Sequence, residues 1–143
     1  MAQTQNFKNH TRLVKGFHGA LFGLITLFIG GSLNYWAKAP SDNYYLASLL
    51  VLIGPIFLLF MWFTRTFALK AQDRAIRAEE NFRYFLLAQK PMPSALRLSQ
   101  IIALRFAPDE EFLALVDEAV ANKLSAKEIK GRIKNWKGDY HRV

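Results

Sequence analysis

The sequence predicts an all-α membrane protein: a two-helix transmembrane hairpin whose second span continues as a long cytoplasmic helix, followed by a small three-helix cytoplasmic tail. Three observations predict it. Two runs of 22 residues, 16–37 and 43–64, carry no charge. A heptad of small and aromatic residues follows the second run without a helix breaker. The end of the chain then shows three short amphipathic segments with helix-start signals.

Charge is sharply segregated. Residues 16–64 hold only Lys38 and Asp42, and the rest of the chain holds the other 28 charged residues. Such a division argues for two solvents along one chain. At about 1.5 Å per residue each uncharged run reaches roughly 33 Å as a helix, the thickness of a hydrocarbon core. Phe17, Tyr35, Trp36, Tyr44, Tyr45, Trp62 and Phe63 sit near the ends of the runs, where aromatic belts lie. A chain of 143 residues has too little other material to bury two such helices. "AKA" at residues 37–39 resembles a signal-cleavage site, but Pro40 follows it and the apolar stretch is long. The first run is therefore read as an uncleaved span.

This gives an N-terminal arm (1–15), span one (16–37), a periplasmic loop (38–43), span two (44–64), a juxtamembrane amphipathic helix (65–88), a linker (89–98) and a helical tail (99–143). Lys8, Arg12 and Lys15 flank one end, and Arg65, Lys70, Arg74 and Arg77 the other, while the loop has only Lys38. The positive-inside rule places both termini in the cytoplasm. On that side the glycosylation pattern Asn9-His10-Thr11 is chance.

In span one, Gly16, Gly19, Gly23, Thr26 and Gly30 form a small-residue seam for close helix packing. Its partner is either span two, through Ala47, Ser48 and Gly54, or a helix of another chain. His18 is read as a solvated interfacial residue and Asn34 as a helix–helix hydrogen-bonding group. Pro55 marks a local kink. No ionisable residue lies near either midplane, and two spans enclose no pathway, so transport by the isolated chain is not expected.

In the juxtamembrane helix Ala68, Ala71, Ala75, Ala78, Phe82 and Phe85 form a second packing seam. The chain's own tail or a partner subunit covers it. Lys70, Asp73, Arg74, Arg77 and Glu80 are assigned to the opposite, solvated face, with Asp73–Arg77 and Glu79–Arg83 as supporting pairs. Basic charge gives way to mixed charge along the helix, which fits anionic headgroups better than nucleic acid.

"QKPMPS" stops the long helix. Ser99–Phe106 reads as the first tail helix. Pro108 opens the second, with Phe112, Leu115, Val116, Ala119 and Val120 inward. Ser125 and Glu128 form a capping box that starts the third, with Ile129, Ile133 and Trp136 inward and Lys127, Lys130, Lys134 and Lys137 as a basic stripe. A helix-turn-helix use of that stripe is disfavoured by the acidic helix beside it.

The chain has no cysteine, no phosphate-binding glycine loop and no H-E-x-x-H, and its three histidines are scattered. No catalytic residue, cofactor or metal is assigned, and no enzyme is expected.

The blocks "NFKNHTRLVKGFH", "FALKAQDRAIRAEENFRYF", "QIIALRFAPDEEF" and "IKNWKGDYHRV" together resemble a bacterial domain-of-unknown-function family of small two-span inner-membrane proteins. The resemblance covers nearly the whole chain and implies an integral, multi-pass location in the bacterial inner (cytoplasmic) membrane. It transfers no activity, ligand or site. The functional expectation is a non-enzymatic accessory or scaffold subunit of a larger membrane complex, contacting membrane lipids and a membrane-protein partner or a second copy. The alternative is a membrane-tethered adaptor holding a ribosome, nucleic acid or acidic protein through the basic stripe.

Overall fold

The computed structural model describes residues 5–7, 9 and 13–140. Lys8, His10, Thr11, Arg12 and His141 lie outside the described residues. The described chain is all-α: a π-helical turn Gly16–Leu21 leads into α1 (Phe22–Lys38), a 3₁₀ turn Ser41–Asn43 leads into α2 (Tyr44–Ala88), and α3 (Leu98–Leu104), α4 (Asp109–Ala121) and α5 (Ala126–Arg132) follow. It divides into two compact units, Arg12–Ala68 and Met1–Thr11 with Leu69–Val143. Helix α2 contributes to both.

In the first unit two helices are long and apolar enough to cross a membrane, and only 11% of each apolar window is buried. Most of their apolar surface is therefore left uncovered by the described residues. Their mutual contacts run in opposite chain order: Trp36 meets Tyr44, and Phe28 meets Phe57, both ring edge to ring face. Between these contacts Ser32, Ala47 and Gly54 are buried, as is Ile25 one turn before Phe28. A Cβ on Gly54 would stand 2.6 Å from Ile29 Cγ1, so glycine is what lets the two backbones approach there. Hydroxyls in the helices bond to their own backbone, as Ser32 does to the Phe28 carbonyl at 2.8 Å and Thr64 to the Phe60 carbonyl at 2.7 Å. Those hydroxyls thereby keep their donors paired within the helix. Helix α2 runs through Pro55 as one element.

The second unit is packed like a small water-soluble protein. Tyr84 from α2, Ile101 and Leu104 from α3, Phe112, Leu115, Val116 and Ala119 from α4, and Ile129 from α5 form its core. The α4 face was legible as a 3–4 repeat, and Pro108 is its N-cap. Ser125 caps α5: its hydroxyl accepts from the Glu128 N–H, and the Glu128 carboxylate accepts from the Ser125 N–H at 2.7 Å. Helix α4 ends in a Schellman turn, with the Leu124 N–H on the Ala119 carbonyl, Lys123 at φ 50° and Leu124 buried.

The third tail helix is shorter than its basic periodicity predicts. It stops at Arg132, and Ile133 is already extended. Residues 133–140 instead form a strap. The Glu111 carboxylate accepts the Lys134 and Asn135 backbone N–H groups at 2.9 and 3.0 Å, and the Lys137 N–H donates to the Phe106 carbonyl at 2.8 Å. Trp136 stacks on Phe106 with ring centres 4.6 Å apart. Three backbone donors thus find partners 23 to 31 residues away, an arrangement that competes with continuing the helix.

Candidate functional site

The polar centre of the second unit is Arg83, on the face of α2 that meets the tail. Its Nε donates to Asp109 Oδ1 at 2.7 Å, one Nη to Glu80 Oε2 at 3.0 Å, and the other Nη to the Ala107 carbonyl at 2.8 Å. The guanidinium also lies 4.2 Å from the centre of the Phe112 ring. One side chain therefore ties α2 to the start of α4 by a fork that lysine could not reproduce.

Beside it Glu80 is buried, although helical period assigns it to the solvated face. Burial raises its pKa, against the pull of the Arg83 charge and hydrogen bond. Arg83 turns to Glu80 and Asp109 rather than forming the expected pair with Glu79. A cleft of about 280 Å³ opens here, lined by Ile76, Glu80, Arg105, Lys137, Asp139 and Tyr140 among others. Arg105 pairs with Asp139 at 3.1 Å, the Asp139 N–H donates to Gln5 Oε1 at 2.7 Å, and Phe7 meets the edge of Trp136. Residues 5 and 7 thereby join the strap to the N-terminal arm.

The arrangement holds charge in place by ion pairs and hydrogen bonds. Among the described residues no group of three His, Asp or Glu side chains could hold a metal ion. Sequence reasoning missed Gln100, whose side-chain N–H donates to the Leu124 carbonyl at 2.7 Å while its oxygen accepts from the Arg97 N–H. A glutamine three residues after Arg97 was the only signal.

The sequence-predicted sites fall as follows. Gly16, Gly19, Gly23 and Gly30 have open space where a Cβ would stand, and Thr26 is exposed. Within this chain α2 instead meets the Ile25, Ile29 and Ser32 side of α1, with Ala47 and Gly54 as its small residues and Ser48 exposed. Asn34 is exposed, and His18 Nδ1 lies 3.1 Å from the Val14 backbone. On α2, Ala71, Ala75, Ala78, Phe82 and Phe85 are exposed and Ala68 is half-buried. The tail packs on the other side of the helix, through Ile76, Glu80, Arg83 and Tyr84, and so does not cover this row. The basic stripe is broken: only Lys127 and Lys130 lie on α5, Lys130 faces the Phe106 ring at 5.5 Å, and Lys134 and Lys137 belong to the strap.

Helices alone among the described residues, two of them long and apolar enough to cross a membrane, and a separate compact helical unit define the class. Over residues 1–143 the chain matches Family of unknown function (DUF6526), and it belongs to that family. No curated protein and no solved structure matches it.

Proposed function

We propose that the chain is a non-enzymatic scaffold or accessory subunit of a larger assembly in a bacterial inner membrane. In this reading α1 and the first part of α2 form a transmembrane hairpin with both termini in the cytoplasm. Apolar length, aromatic ends and the cationic flanks Lys15, Arg65, Lys70 and Arg74 support the topology.

The observation that carries the functional reading is the uncovered row Ala71, Ala75, Ala78, Phe82 and Phe85. It stands on charged, water-facing helix beyond the apolar run, where lipid tails cannot cover it. Phe82 is 64% exposed and Phe85 47%, although a packed tail lies on the same helix. An apolar row left bare beside a satisfied core is a contact surface. The α1 glycine row offers a second such surface inside the membrane. The adaptor reading has less support, because Lys134 and Lys137 lie beyond the end of α5 rather than on it.

The test is affinity purification of the tagged chain from native membranes in mild detergent, with mass spectrometry at low and high salt. A stoichiometric membrane partner or second copy that survives high salt supports the scaffold. Ribosomes released by salt, with nothing else retained, would transfer the case to the adaptor.

A further inference from the structure

We infer that the uncovered face of α2 is the seam of a parallel, in-register coiled coil with a second copy of this chain. The inference rests on the membrane-scaffold reading and names its partner.

Spacing fixes the register without freedom. Ala71 to Ala75 is a step of four and Ala75 to Ala78 a step of three, so Ala75 and Phe82 occupy a positions and Ala71, Ala78 and Phe85 occupy d positions. The tail-facing residues then fall at b (Ile76, Arg83), c (Tyr84) and f (Glu80). The intramolecular contacts thus take the back of the heptad and leave its front open. A clamp placed there supports a second helix without competing with it. Alanine at successive a and d positions permits close backbone approach, and the two phenylalanines supply apolar area beyond the last alanine.

Charge selects the occupant. In a parallel in-register pair, a g residue meets the e residue five positions later on the partner. Here g is Arg74 and e is Glu79, both exposed. Twofold symmetry makes this attraction twice, once in each direction. The next such pair is Asn81 with Leu86, and neither opposes like charges. Two copies anchored in one membrane present α2 to each other in the parallel sense, the only sense in which the Arg74–Glu79 pair forms. The face is therefore self-complementary.

The chain has no cysteine, so single cysteines report contacts cleanly. Ala75→Cys, Ala78→Cys and, as a c-position control, Arg77→Cys are placed in the full chain in native membranes and oxidised. The inference predicts a disulfide-linked species of twice the chain mass at residues 75 and 78, and none at 77. Arg74→Glu should lower the yield at 75 about tenfold, since two like-charged pairs replace two attractive ones, and adding Glu79→Arg should restore it. Equal linkage at 77, or no rescue, overturns the coiled coil. Linkage of 75 only to a different protein overturns it while leaving the scaffold reading standing. No adduct at 75 or 78, with the variants folded by circular dichroism, overturns both.

Discussion

The two units of this chain solve opposite problems. In residues 13–68 most side chains are apolar, yet few are buried, and helix meets helix through small contacts such as Gly54 on Ile29. In residues 69–140 charged side chains frame a core in which Phe106, Phe112, Val116 and Ile129 are wholly enclosed. The first unit has too much apolar surface for its contacts, and the second ties its contacts together with Arg83, Glu111 and Gln100. Composition alone does not say where a core lies. What matters is whether apolar surface finds another part of the same chain.

That contrast breaks first at Arg83. Arg83→Leu leaves Glu80 buried without its cation and the Ala107 carbonyl without its donor. A loss of about 3–5 kcal/mol in the second unit is expected, read as faster amide exchange across α3–α5 with the first unit unchanged. The effect carries a pH signature. Glu80 has a raised folded pKa, so its contribution is present below the ordinary carboxylate range and is lost as pH rises through the raised value. Removing Arg83 deepens that loss, and adding Glu80→Gln should recover part of it. Glu111 has the opposite sign. The Lys134 N–H holds its pKa down, so its hold on the strap is present above the ordinary range and fails as pH falls through the lowered value.

In the first unit the sharpest contrast is between glycines. Gly54→Leu drives a side chain into Ile29 and should cost about 1–3 kcal/mol, seen as lower detergent stability of the chain alone. Gly23→Leu meets open space and should leave that stability unchanged while weakening any assembly built on the α1 row. Equal losses at both positions would show that the α1 row is already packed.

The smallest effect is at the α4 terminus. Lys123 holds a left-handed φ of 50° that glycine adopts without strain. Lys123→Gly should stabilise the second unit by about 0.5–1 kcal/mol in chemical unfolding.

Local signals were legible wherever one helix decides its own fate. The 3–4 repeat of α4, the proline at its start and the Ser125–Glu128 box are all found where the sequence placed them. Failures came where the partner lies far along the chain. Glu80 is buried because Arg83 and the α3–α4 turn close over it, which a helical wheel cannot register. The α5 stripe ends early because Glu111, more than twenty residues upstream, takes the Lys134 and Asn135 amides. The glycine row on α1 announces that close approach is possible, but not by which helix. Within the chain that approach is made on the neighbouring side, at Gly54.

The proposal stands on α1 and α2 crossing a membrane, and cysteine labelling tests this directly. Single cysteines at Ser41, between the apolar helices, and at Asn122, at the end of α4, are treated in intact cells with a membrane-impermeant maleimide. The account predicts labelling at 41 in intact cells, and at 122 only after the membrane is opened. Labelling of both positions alike, or of 122 in intact cells with 41 protected, would contradict it.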